Sequence, residues 1–572
     1  MSSISGTLIT RNYTTFLGVD FSNRKDEISV RRSPDALNVW KNYKSTAGRS
    51  IETRPDLELE TEFDNVIYGI FQYDINRDTH LIVHSGTKLY DYFNGVKTLI
   101  KESLNPAESH GFVYSNIFFL KDGINYVEYD GSTCTDVVGY IPRTTISKTP
   151  NGGGVSLEDI NLLSDYRKNE FTADGTSTRY YLDTDNIDDD YVPEVWVNGI
   201  KKTITTDYTV NYTGDALGSY IEFINAPSEP LTDGQDNVII QFKKAVNGYK
   251  NRILRCTLLE VFDNRVFFSG NVDYPSTIFH SSLNNPRYIS DTDYYNEGMD
   301  ASKVKDMVVG NNALWVLKEP SSANTTIYYH TPAIDSQLGK TYPSQHSSIS
   351  VGCISRGINF NDDIVFFSNM GLEGITGDIT KEQILGHRSS FIDSRLLNEI
   401  NYKNLKLVEW QGYLLVIIDN HIYLADSRQK SAINDHWEYE WFYWEMSENI
   451  TYASVINDEL YLCSDKKIYI MEEKDLFSYW TTIEDEFNYP QYQKITNKKG
   501  CVVDLEGDLT IEVKVDNGNF EKINDYKNKK GFVVARIKKK KWKSIQMKFS
   551  SKKRFNLYSS TLESYVGSYI KR

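Results

Sequence analysis

Apolar and polar positions alternate in short bursts along most of this 572-residue chain. Such bursts, bounded by Asn, Asp and Gly, predict strands and tight turns, not amphipathic helices. From about residue 61 one unit recurs. Two apolar strands are joined by a polar turn, and a third strand often follows. The first copy reads NVIYGIFQYD and then THLIVHSGTKLYDYFNG. The second is GFVYSNIFFLKDGINYVEYDG, 111–131, and the third CTLLEVFDNRVFFSG, 256–270. The fourth is VKDMVVGNNALWVLKEPS with TTIYYH, 304–330, and the fifth VGCISRGINFNDDIVFFSNMGLEGI, 351–375. LKLVEWQGYLLVIIDNHIYLAD, 405–426, and YASVINDELYLCSDKKIYIME, 452–472, complete the series.

The turns carry polar pairs such as Asp263-Asn264, Asn311-Asn312 and Asn457-Asp458. Asn and Asp tolerate the positive φ of two-residue hairpins. A lone hairpin cannot bury its apolar side, but units stacked around an axis can. Runs such as LLVII, 414–418, suit a strand covered on both faces. The expected fold is all-β: a β-propeller of about seven blades, range six to eight, with an inserted small β-sandwich and a C-terminal β-sandwich. Two stacked sandwiches are the rival architecture.

The expected domains are an extended arm over 1–60, blades over 61–165, an insert over 166–243, further blades over 244–480, and a basic β domain over 481–572. The arm has little periodicity and is expected to pack on the body or on a neighbour. The insert carries VWVNG, DYTV and YIEF, whose alternation and Asn198-Gly199 turn read as a compact sandwich. It is expected to project from one propeller face.

Composition supports this picture. Aromatics make up 13% of the chain, with 40 Tyr, and aromatics favour strands. No 18-residue apolar stretch occurs, so no membrane-spanning helix is expected, and the N-terminus shows no signal-peptide core. The five Cys are widely spaced and odd in number, which predicts buried free thiols. The net charge is -15, yet residues 494–572 hold 20 Lys and Arg against 8 Asp and Glu, a net of +12. The rest therefore sums to -27, a segregation that bears on partners.

Catalytic signatures are sparse. The nine His form no HExxH or Cys/His cluster, and no phosphate loop or nucleophile elbow is present. The chain is therefore read as a non-enzyme without cofactor or metal. The acidic run Asp183–Asp190 lacks the Gly and terminal Glu of a calcium loop and reads as a solvated turn. Trp437, Trp441 and Trp444 lie in HWEYEWFYWEM. They are candidates for carbohydrate stacking, although sheet core is the favoured reading. Lys538, Lys539, Lys540, Lys541, Lys543, Lys552, Lys553 and Arg554 are candidates for assembly or DNA-backbone contact.

Three segments carry a family likeness. They are RRSPDALNVWKN with ETRPDLELE, DNRVFFSGNVDYPSTIFHSSLNNPRYISDTDYY over 263–295, and SVGCISRGINFNDDIVFFSNMGLEGIT over 350–376. With them the chain resembles the bacteriophage tail-nozzle and packaged-DNA-stabilisation family, propeller proteins below the portal and adaptor of short-tailed phages. The resemblance implies a sixfold ring of copies that forms a tube for DNA and holds it until infection. It implies a head–tail adaptor or portal-proximal ring as partner, tail fibres as further partners, and non-specific contact with genomic DNA. The location implied is the virion tail, after synthesis in the host cytoplasm. The alternative reading is a tail-tip or baseplate protein that binds host surface polysaccharide.

Overall fold

A computed structural model describes residues 6–44, 50–299, 302–322, 325–336, 339–347, 351–375, 385–433, 436–537 and 541–569. Seven four-stranded antiparallel sheets follow one another through it. Their innermost strands are Ile67–Ile75, His110–Tyr114, Leu258–Phe262, Val304–Gly310, Gly357–Phe360, Lys406–Trp410 and Tyr452–Ile456. Each of these strands lies beside the next, and Tyr452–Ile456 returns to Ile67–Ile75, so the ring is closed. The chain is a seven-bladed β-propeller.

The turn chemistry explains why every blade starts alike. In all seven, the first two strands are joined by two residues that both have positive φ. The pairs are 76–77, 115–116, 263–264, 311–312, 361–362, 411–412 and 457–458. Such turns match the right-handed twist of paired strands, which is why Asn and Asp recur there. The second strand of each blade then lies between neighbouring blades. In blade 5, Ile364, Val365, Phe366 and Phe367 are all fully buried, and in blade 6 so are Leu414 to Ile417.

Ring closure uses the N-terminal segment. Blade 7 takes three strands from 452–472, and its outer strand is Asp56–Glu62, paired antiparallel to Lys467–Glu472. Leu57 sits opposite Met471 and Leu59 opposite Tyr469. The two ends of the propeller are thereby joined by hydrogen bonds between residues more than 400 positions apart in sequence.

The arm and the C-terminal domain form one structure. A nine-stranded sheet contains Leu8–Tyr13, Ala36–Leu37, Val39–Trp40 and Ile51–Thr53 from the arm, with Ser478–Thr481, Tyr492–Val515, Glu521–Ala535, Ile545–Ser551 and Phe555–Tyr569. Its path begins at Ala36–Leu37 and ends at Val39–Trp40, so it closes on itself around Asn38. The long ribbon bends at Gly507 (φ +103°) and Asn528 (φ +45°) and folds over. Arg536 N donates to Asn524 Oδ1 at 3.1 Å, and Tyr526 Oη to Val534 O at 2.9 Å, across that fold. The expected boundary at 481 therefore cuts a sheet that holds both chain ends. One apolar core runs through this sheet and blades 5 to 7.

The insert starts earlier than the expected residue 166. Arg143–Lys148 already pairs in parallel with Tyr166–Phe171, which makes it part of a six-stranded sheet. That sheet faces a three-stranded one across a separate core of Phe171, Tyr180, Val195, Ile221, Ile240 and Phe242. Parallel pairing across an irregular crossover carries no local turn signal, so the first strand was not legible in the sequence.

Candidate functional site

The propeller axis collects charge. Glu108 enters blade 2, and Arg356 enters blade 5, almost opposite in a ring of seven. Arg356 Nη2 meets Glu108 Oε1 at 2.6 Å, and its Nη1 lies 3.7 Å from Asp306 Oδ1 of blade 4. The guanidinium thus spans the axis. Burial works against its charge, yet Asp306 and Glu108 together hold its pKa above the ordinary value. Glu260 of blade 3 lines a small axial cavity of about 240 Å³ with Glu108, His110 and Tyr452. Burial, reinforced by Asp306, pushes the Glu260 carboxyl up to about 8. Burial and Arg356 push His110 down to about 4. Nothing in the sequence joins Glu108 to Arg356, because only ring closure brings them together.

The aromatic cluster is structural. Trp441 and Trp444 are fully buried in the outer strand of blade 6. Trp441 Nε1 donates to Arg388 O at 3.0 Å, and Trp444 Nε1 to Val39 O at 3.2 Å. Trp437 is half-buried, with the Arg388 guanidinium 3.7 Å from its ring centroid. The carbohydrate-stacking reading of Trp441 and Trp444 is therefore corrected: no ring face is open. The arm covers this strand, with Val19 N bonded to Trp441 O and Asn38 N to Tyr443 O.

The basic candidates do not form one patch. Lys538, Lys539 and Lys540 lie outside the described residues. Lys541 and Lys543 are exposed before the strand Ile545–Ser551, whereas Lys552, Lys553 and Arg554 follow it. A seven-residue strand separates the two groups by about 23 Å. Lys543 N donates to Asp516 Oδ1, and Lys543 Nζ lies 3.9 Å from Glu486. Arg554 is partly buried; its Nη2 lies 3.5 Å from Glu473 Oε1, and its backbone N donates to Asp475 Oδ1. Sequence adjacency suggested a patch, and the strand between the groups pulls it apart.

The remaining candidates settle into structural roles. Asp183 Oδ2 accepts from Thr144 Oγ1 at 2.5 Å and Asn169 Nδ2 at 3.0 Å, which pins the insert's first strand. Among the described residues no group of three or more His, Cys, Asp or Glu is placed to hold a metal ion. Cys256, Cys353, Cys463 and Cys501 are buried thiols, and Cys134 is half-buried. No described helix is long and apolar enough to cross a membrane.

No protein-family model and no curated protein matches the chain. Among solved structures it is similar to BamB from Moraxella catarrhalis, at 11% identity and a TM-score of 0.34, over 73% of this chain and 97% of that one. It is also similar to Hsv2 of Kluyveromyces lactis, at 11% identity and a TM-score of 0.23, over 66% of this chain and 98% of that one.

Proposed function

We propose that the chain is a structural subunit of a bacteriophage tail: a ring-forming nozzle or hub that lines the DNA exit channel and retains packaged DNA until infection. The observation that carries this reading is the charge segregation, +12 over residues 494–572 against -27 over the rest. A basic base and acidic blades on one chain favour head-to-tail docking of copies, and a head-to-tail contact that closes makes a ring. A sixfold ring is the form that the family resemblance implies. An acidic wall repels the phosphate backbone, so the genome slides instead of sticking.

Two further features support the reading. The Glu108–Arg356 pair closes the propeller's own axis, so a DNA tube has to be bounded by several copies. The segments that carry the resemblance sit at joints. Asn38 and Arg54 tie the N-terminal arm to blade 6. Asn271 Nδ2 donates to Asn251 O at 3.0 Å and Arg252 O at 2.9 Å, which fastens the helix Tyr249–Leu254 to blade 3. A head–tail adaptor or portal-proximal ring is the proposed axial partner, with fibres as peripheral ones. The polysaccharide alternative loses the aromatic surface it needed at 437–444, because Trp441 and Trp444 are buried.

Charge reversal at Lys541, Lys543, Lys552 and Lys553 tests the docking role. Assembly is expected to fail. If assembly survives and only DNA retention is lost, these lysines serve DNA and the docking role is rejected. Imaging of labelled particles is expected to place the chain in the tail, and a position elsewhere contradicts the reading.

A further inference from the structure

The C-terminal ribbon leaves an aromatic side chain in solvent. Its strand Glu521–Ala535 pairs only with Tyr492–Val515 among the described residues, so the second edge is free. Lys522, Lys527, Lys529 and Lys530 stand along this strand and guard that edge against strand addition. Contact through the ribbon therefore runs through side chains. Phe532 is 75% exposed, more than any other phenylalanine among the described residues, and Val534, two positions on and on the same face, is 46% exposed. Val502, opposite Val534, extends the apolar strip. Lys527 and Lys530 pair with Asp508 and Glu506. Lys529 and Arg536, exposed on either side of Phe532 in the chain, form no ion pair among the described residues. Asp504 lies opposite Phe532, and the region 494–572 around it still carries +12.

A groove of about 280 Å³ between blades 7 and 1 has the complementary chemistry. Its floor is apolar, with Leu81, Tyr92 and Ile456 buried. Tyr92 Oη donates to Glu60 Oε1 at 2.7 Å, and Tyr461 Oη to Glu459 Oε2 at 3.3 Å. Burial, with Glu459 and then Glu60 behind it, raises the Tyr461 phenol to about 12, so both carboxylates act on one ring. On the strand Asp56–Glu62, Glu58 is paired with Lys474 and Glu62 with Lys466. Glu60 between them and Glu459 across the groove are exposed, and neither forms an ion pair among the described residues. No ribbon residue lines the groove, so the chain's own phenyl does not fill it.

We infer that this groove receives Phe532 of a second copy, with Lys529 and Arg536 meeting Glu60 and Glu459. The inference rests on the reading of the chain as a ring subunit and supplies a contact that joins its copies. An exposed apolar group on one part of a chain and a pocket for it on another make a heterologous contact, which passes from copy to copy until the ring closes. An aromatic anchor carries the binding energy of such a contact, and the charges around it set its register.

Sedimentation velocity on the full-length chain over a concentration series tests this contact. Phe532→Ser breaks the ribbon side, and Glu60→Lys with Glu459→Lys breaks the groove side. All three residues are exposed, so the fold is expected to survive, and thermal melts check that. Each variant is expected to raise the concentration needed for association at least tenfold. Mixed together, the two are expected to form one-to-one pairs, because the intact groove of the first takes the intact ribbon of the second. If the wild type associates and either variant does so equally well, or if mixing gives no pairs, the contact is overturned while the ring reading stands. If the wild type stays single at every concentration, both fall. Should a variant not fold, hydrogen exchange on the wild type decides: protection that grows with concentration at 529–536 and 456–461 supports the contact, and growth elsewhere or none overturns it.

Discussion

Arg54 Nε donates to Asn38 Oδ1 at 2.8 Å, and both residues are buried. Asn38 holds φ +56° at the point where the nine-stranded sheet closes, a backbone state that Asn adopts more readily than most residues. Its Oδ1 also accepts from Glu445 N at 2.9 Å, and its Nδ2 donates to Phe477 O at 3.1 Å. Arg54 continues to Pro55 O at 2.7 Å, Asp56 Oδ1 at 2.8 Å and Glu445 O at 2.6 Å. One side-chain pair therefore fastens the arm, the blade 7 closing strand and blade 6. Arg54→Met strands a cluster of buried acceptors and is expected to cost about 3–5 kcal/mol. Asn38→Ala is expected to cost about 2 kcal/mol or more, with added strain at its φ. The two share partners, so the double variant should cost less than the sum by about 1–3 kcal/mol in urea unfolding.

The closing strand gives a second prediction. Without residues 1–62, blade 7 keeps three strands, and Lys467–Glu472 loses the strand paired with it. The truncated chain is expected to lose its single cooperative thermal transition and to become protease-sensitive first near 452–472. A native-like melt for the truncated chain would show that hydrogen bonding at 56–62 does not close the ring.

His387 supplies a pH test. Its Nδ1 lies 2.9 Å from Glu373 and its Nε2 2.6 Å from Asp393. Burial disfavours the cation, but the two carboxylates outweigh it and raise the imidazole to about 10. A raised histidine contributes fully below its unfolded pKa of about 6.5, and that contribution fades as pH climbs toward 10. His387→Gln is therefore expected to be less stable than wild type by on the order of 1–3 kcal/mol at pH 6, with the gap closing by pH 10. Chemical denaturation at several pH values reads this directly.

Glu260 has the same sign in a lower pH window. It stays protonated in the folded chain up to about pH 8, whereas an unfolded Glu ionises near pH 4.3. Between those values the folded state holds the extra proton, so stability falls as pH rises through the window. Glu260→Gln does not titrate. Its melting temperature relative to wild type is expected to climb from pH 4 to pH 8, by an amount equivalent to about 1–3 kcal/mol. A flat difference would show that the axial carboxyl ionises freely.

Much of the propeller was legible because its signals are local. Polar pairs at 263–264, 311–312 and 457–458 report their own hairpins, and LLVII reports its own burial. Relationships set by ring closure were not legible. The strand Asp56–Glu62 reads as an acidic stretch of arm, and only its pairing with Lys467–Glu472 makes it a blade strand. Candidate sites fared similarly. HWEYEWFYWEM announces aromatics, but the arm that buries them is about 400 residues away. The lysines at 541–553 are adjacent in sequence and divided in space by a strand.

We propose that this propeller is a building unit whose basic C-terminal region meets the acidic blades of the next copy. Cryo-electron microscopy of the purified full-length chain at low salt tests it most directly. Closed rings are expected, sixfold by the family resemblance, with the 494–572 region at each subunit junction and an open passage along the ring axis. Single propellers at every concentration, or copies joined through surfaces that leave 494–572 in solvent, would contradict it.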